Sequence, residues 1–134
     1  MKRSPLAKVS KKRGRNRSLR KKLWPECSKR IRALDGKCML AGYFGSKCGG
    51  VLQASHILPK GKYPLLELYP LNCVAACYVC HLFGWHKSPL DAARWYKDLP
   101  LEWRERLEIE RAHSLDRKGM TEEQIRAEWK ECGI

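Results

Sequence analysis

Val51-Leu52-Gln53-Ala54-Ser55-His56-Ile57-Leu58 follows the pair Gly49-Gly50 and reads as a strand leaving a turn, with His56 near its end. A second apolar piece, Leu71-Asn72-Cys73-Val74-Ala75-Ala76, can form another strand once the residues between them close into a loop. That connection, 59–70, holds Pro59, Gly61, Pro64 and Pro70. Cys77 to Phe83 then opens a helix, which Gly84 interrupts. Strand, loop, strand, helix is the order of a small α+β unit.

Upstream of this unit, residues 37–58 are rich in glycine, with Gly45, Gly49 and Gly50 as punctuation. Before them, Cys27 to Leu34 carries Ile31 and Leu34 and suggests a short helix stopped near Gly36. Downstream, Ser88-Pro89-Leu90-Asp91 marks a new helix, with serine at the N-cap, proline at the first helical position and a carboxylate where a capping box wants one. The helical pattern continues to Ser114 with a break near Pro100. Thr121-Glu122-Glu123-Gln124 caps a final helix holding Ile125 and Trp129. Trp95, Trp103 and Trp129 lie at helical spacing among charged residues and are expected in the core, with no functional role.

The chain has 134 residues and a formal net charge of +14, enough for one small domain and a basic appendage. Charge is unevenly spread: eleven of the 28 Lys and Arg residues, and none of the 14 acids, fall in residues 1–22. Lys11, Lys12, Arg13, Arg15, Arg17, Arg20, Lys21 and Lys22 leave too little apolar surface to offset the entropy of folding, so 1–22 is expected to be a disordered arm. Its expected partner is DNA or RNA, through release of counterions from the phosphates. Residues 23–134 form the expected domain, its core at about 37–98 and its C-terminal helices at 89–132. No apolar run is long enough to span a membrane and no secretory leader is visible, so the expected location is intracellular.

Seven cysteines is an odd number, and Cys77-Tyr78-Val79-Cys80 has a metal-ligand spacing rather than that of a disulfide framework. Cys38 and Cys48 are the expected partners of Cys77 and Cys80 in a tetrahedral structural zinc site. Cys73 or His81 can replace one of the four, since a site of three cysteines and one histidine is equally tetrahedral. Cys27, Cys73 and Cys132 otherwise read as buried free thiols. A small, loop-rich core gains much of its stability from such a metal.

Three of the four histidines lie in one segment: His56 at a strand end, His81 after the Cys77-Cys80 pair, and His86 five residues on. With Asn72 between them, the order resembles that of the HNH, or ββα-metal, endonuclease family. The narrower stretches Ala54-Ser55-His56-Ile57-Leu58-Pro59, Asn72 and Cys80-His81 through Trp85-His86-Lys87-Ser88-Pro89-Leu90 are similar to small HNH proteins of phages and prophages. The resemblance covers about residues 37–98. It implies a ββα-metal core and a metal-dependent DNA endonuclease, located in the cytoplasm of a host cell if phage-encoded. His56 would be the general base, oriented by an amide oxygen of Asn72 on its other ring nitrogen. His81 and His86 would hold one divalent cation, magnesium or manganese, against the phosphate and the leaving 3′ oxygen, leaving 3′-hydroxyl and 5′-phosphate ends.

Two features set this sequence apart. Ser55 stands where many family members have a metal-binding Asp or His, so the protein would supply few ligands. On a regular helix His81 and His86 lie about 140° apart, so both reach one ion only if the helix is broken or widened at Gly84. Lys60, Lys62 and Lys87, together with the arm, would hold phosphates. No separate recognition module is visible, so target choice would come from DNA shape, a junction or a partner protein. His113, outside the cluster, reads as structural. The alternative functions are a non-catalytic zinc-binding nucleic-acid module and a phage packaging or recombination accessory protein that has lost activity.

Overall fold

The computed structural model describes residues 11–45 and 47–134, with side chains from Asn16 onward. It is an α+β fold with a two-stranded antiparallel sheet: α1 (Lys11–Asp35), β1 (Leu52–His56), β2 (Cys73–Cys77), a π-helix (Cys80–Trp85), α2 (Pro89–Lys97), α3 (Leu101–Ala112) and α4 (Glu122–Glu131). Short 3-10 turns at Pro64–Leu66, Pro70–Asn72 and Ser114–Arg117 complete it. None of the described helices is long and apolar enough to cross a membrane.

Both expected strands form, each shifted by one or two residues, in a register that runs from Leu52 opposite Cys77 to His56 opposite Cys73. All five residues of β2 are buried because the sheet is covered on both sides. On one side Cys73 packs with Leu23, Cys27, Ile31, Leu68, Ile125 and Trp129 from α1, the loop and α4. On the other, Val74 and Ala76 pack with Leu40, Ile57, Trp95 and Leu107. The indole N–H groups of Trp95, Trp103 and Trp129 donate to the carbonyls of Met39, Leu71 and Leu68, so these three tryptophans tie helices to the loops around the sheet.

The N-terminal expectation needs correction. Residues 11–22 are not a disordered arm: they belong to α1, which runs unbroken through residue 22, passes Pro25 and ends where Gly36 turns left-handed at φ 67°. Residues 1–10 lie outside the described residues. A local count of charge missed the long-range partners of this helix. Asn16 Oδ1 accepts the Gly119 N–H at 2.7 Å, Arg20 meets Glu67 at 3.3 Å, and Lys22 meets Glu122 at 3.3 Å. Leu23, Cys27 and Ile31, one turn apart, are at most 2% exposed and seat the helix on the sheet.

The helix expected from Cys77 begins at Tyr78 and is a π-helix over Cys80–Trp85: the His86 N–H reaches back five residues to the His81 carbonyl, at 3.3 Å. Gly84 lies in it under the ring of Phe44, where a Cβ would come within 2.6 Å of Phe44 Cγ. Ser88 does precede α2 and Pro89 does open it, but the serine side chain makes no capping bond. The Thr121–Gln124 capping box of α4 is complete, with both reciprocal bonds formed.

Candidate metal centre and active site

The Sγ atoms of Cys38, Cys48, Cys77 and Cys80 lie within 4.8 Å of one another. Among the described residues they are the one group of three or more His, Cys, Asp or Glu side chains that can hold a single ion. Four sulfurs at about 2.3 Å from a tetrahedral zinc stand about 3.8 Å apart, and Cys48 and Cys80 are 3.8 Å apart. The donor set is compatible with zinc. Gly49 and Gly50 let the Cys48 loop lie on the Tyr78-Val79 turn. At Gly50, with φ 80°, a Cβ would sit 2.6 Å from Tyr78 Cβ.

Burial pushes the Cys77 thiol up, but backbone N–H groups of Cys80 and Gly49 point at its sulfur, and the sum of hydrogen bonds brings it down to about 6. Burial pushes Cys80 and Cys48 up, and neighbouring thiols of the cluster, Cys38 and Cys77, add to the rise. Cys73 and His81 are not members of the set. Cys73 lies in the core beside Cys27, its thiol toward the Tyr69 carbonyl at 3.5 Å, and His81 is engaged elsewhere. Cys27 and Cys73 are buried as expected, whereas Cys132 is only partly so.

His81 and His86 do converge. The widened π-helix turns both to one side, and their Nε2 atoms are 3.0 Å apart. At this distance one ring nitrogen donates a hydrogen bond to the other; two ligands in adjacent octahedral positions, about 2.1 Å from one ion, stand about the same distance apart. Gln53, on β1, lies 2.7 Å from His81 Nδ1. If its amide oxygen accepts an N–H there, the lone pair of His81 is placed on Nε2, toward His86. Sequence reasoning missed Gln53. Nothing marks one polar residue in a strand as the neighbour of a histidine 28 positions away.

His56 ends β1, half-buried, with Nε2 3.0 Å from the Glu67 carbonyl oxygen. A carbonyl only accepts, so Nε2 carries the proton and Nδ1 keeps a free lone pair. Trp24 of α1 stacks on the ring, with centroids 4.6 Å apart. Burial lowers the His56 pKa below its usual 6.5, against a smaller opposing effect of the Glu67 carbonyl. His81 is also lowered, first by burial, then by His86 and by His56.

The role expected for Asn72 is not the one it has. Asn72 is fully buried and does not orient His56. Its Oδ1 accepts the Leu58 N–H at 2.7 Å, and its Nδ2 donates to the carbonyls of Leu58 and Leu66 at 3.2 and 3.1 Å. These bonds saturate the amide inside the loop and fix the 59–70 connection. Ser55 is buried, at 2% exposure.

Arg17, Lys21, Lys22, Lys60, Lys62 and Lys87 are exposed to solvent in whole or in part. Arg20 is half-buried and bonded to Glu67 and the Pro64 carbonyl, so it is an internal strut rather than a free phosphate ligand. The side chains of Lys11, Lys12, Arg13 and Arg15 lie outside the described residues. His113 is on the surface beside Asp116, far along the chain from the cluster.

Comparison of the chain with family models, with curated proteins and with solved structures finds no match.

Proposed function

We propose that this protein is a metal-dependent DNA endonuclease of the HNH, or ββα-metal, type. The observation that carries the reading is the convergence of His81, in the π-helix, and His86, at its C-cap, 3.0 Å apart and joined through Gln53 to β1, the strand that ends in a third imidazole, His56, with a free Nδ1. Hydrolysis of a phosphodiester needs a base of near-neutral pKa beside a cation site. The three histidines supply both on adjoining elements.

In this reading His56 Nδ1 takes the proton of the attacking water, while Nε2–H stays on the Glu67 carbonyl and preserves the tautomer. His81 and His86 would hold a divalent cation, magnesium or manganese, which supplies Lewis-acid stabilisation of charge on the phosphate when bound. The four cysteines would hold zinc as a brace joining β2, the π-helix and the loops around Cys38 and Cys48. Lys60, Lys62, Lys87, Arg17 and Lys21 would meet backbone phosphates, so affinity falls steeply with salt.

The test is nicking of supercoiled plasmid in magnesium, in manganese and in chelator, with zinc content measured in parallel. His56→Ala is expected to lose roughly 10²-fold or more in rate at unchanged zinc content. Activity of His56→Ala equal to that of the wild type refutes the assigned base. The four-cysteine cluster by itself would equally serve a non-catalytic zinc-bound nucleic-acid module or a packaging or recombination accessory. Tight DNA binding with no cleavage in any metal would select that second reading.

A further inference from the structure

We infer that α1 positions the proposed base: Trp24, through its stack on His56, and Arg20, through Glu67, are positioning residues. The inference rests on the nuclease reading and deepens it, since it makes the basic helix part of the catalytic unit instead of an appendage.

Two independent contacts hold the His56 ring. Nε2 is fixed at one point by the Glu67 carbonyl, 3.0 Å away, and the ring plane is set by Trp24, whose indole lies 28° from parallel. A hydrogen bond alone leaves the imidazole free to tilt about the N–H axis and to swing off the carbonyl. A stacked indole removes that freedom. The residue that carries this carbonyl is held through its side chain: Arg20 Nη1 donates to the Glu67 carboxylate Oε2 and to the Pro64 carbonyl, each at 3.3 Å, and so clamps the 3-10 turn Pro64–Leu66 to its cap residue Glu67. Arg20 and Trp24 are four residues apart, on one face of α1, so a single rigid helix delivers both restraints.

Trp24 also differs from three other tryptophans in its polar contacts. Trp95, Trp103 and Trp129 each anchor their N–H on a loop carbonyl, whereas among the described residues Trp24 makes no such bond: it packs at the edge of the core beneath α1 and stacks its ring on a histidine. Beside it lies an open cleft of about 330 Å³ lined by Arg17, Arg20, Lys21, Trp24, Pro25 and Glu67. Arg17 and Lys21 are exposed there, so a strand whose phosphates engage them loads the same helix that holds the base. A displacement of about 1 Å in a reacting group costs up to roughly 10²-fold in rate.

The experiment uses full-length, zinc-loaded protein and two readouts. Nitrogen-15 NMR of the histidines reports the His56 tautomer without any need for activity. Steady-state cleavage across pH separates kcat from KM. Trp24→Leu removes the aromatic plane, Trp24→Phe keeps one, and Arg20→Met removes the ion pair while keeping the apolar stem.

The wild type is expected to hold His56 as the Nε2–H tautomer. Trp24→Leu and Arg20→Met are expected to mix tautomers and to lose roughly 10- to 100-fold in kcat with KM changed by no more than about twofold. Trp24→Phe is expected to retain most of the activity and the single tautomer. Unchanged tautomers in both damaging variants, a loss confined to KM, or equal damage from Leu and Phe at position 24 overturns the inference. If the wild type cuts no DNA in any metal, the nuclease reading fails on its own account. The tautomer readout then still decides whether α1 orders this ring.

Discussion

Asn72 Oδ1 accepts the backbone N–H of Leu58 at 2.7 Å, across a loop of fourteen positions. With its two donor bonds, the buried amide replaces the ladder that the chain loses between the end of β1 and the start of β2. Asn72→Ala leaves the partly buried Leu58 N–H and Leu58 carbonyl without partners, while the Leu66 carbonyl keeps its bond from the Tyr69 N–H; the cost is about 1–3 kcal/mol for each group left unsatisfied. Urea unfolding of the zinc-loaded variant is expected to show a markedly lower midpoint, with activity lost in proportion to the unfolded fraction. A stable, folded and selectively inactive Asn72→Ala would instead return this residue to the chemistry.

Zinc should be held by four sulfurs and no others. Cys38→Ser, Cys48→Ser, Cys77→Ser and Cys80→Ser are each expected to lose tight zinc and to unfold, because the free energy of binding zinc at four gathered thiolates is part of the free energy of folding. Cys27→Ser and Cys132→Ser should keep one equivalent. Cobalt substitution followed by absorption spectroscopy checks the count, since a sulfur-rich tetrahedral site gives intense thiolate bands. Retention of zinc by Cys48→Ser, the exposed member, would contradict the four-sulfur assignment.

Cleavage should persist into mild acid. A general base works when neutral, and burial favours the neutral form of His56, so its pKa lies below 6.5. The acid limb of log kcat/KM against pH is therefore expected to have its midpoint below 6.5, with activity falling as pH drops through it. In Trp24→Leu, which exposes the ring, the midpoint should move up. A wild-type midpoint above the ordinary imidazole value would mean that burial does not govern this ring.

Arg117 is a stability determinant distant from the site. It is 7% exposed, bonds Glu128 twice and Glu110 once, and donates through Nε to the Leu65 carbonyl at 3.0 Å. It thereby ties the 59–70 loop to α3 and α4. Arg117→Met is expected to cost roughly 3–5 kcal/mol, because Glu128 is left as a mostly buried, uncompensated charge. Adding Glu128→Gln should recover part of that loss, measurable as a double-mutant cycle in thermal or urea unfolding.

Much of the architecture was legible along the chain. The turn at Gly49-Gly50, the proline-rich connection, the two apolar pieces and the Thr121–Gln124 box are local signals, and each lies within a residue or two of the element it announces. The metal cluster was legible too, because thiols at suitable spacing report their chemistry through identity alone. The π-helix was foreseen only as a condition. His81 and His86 can meet if Gly84 widens the helix, and packing of Phe44 over Gly84 accompanies that widening.

Sequence by itself determined the order of elements, the four sulfurs and the grouping of three histidines, since turn chemistry, apolar patterning and ligand type act over a few residues. Only the tertiary structure decided that Lys11–Asp35 is one helix, that the Glu67 carbonyl rather than Asn72 holds His56, and that Gln53 and Trp24 face His81 and His56. The reason is physical. A backbone carbonyl has no identity in the sequence, and the acids that oppose α1's cations lie far along the chain. Partners of these kinds become visible only after the chain has closed on itself.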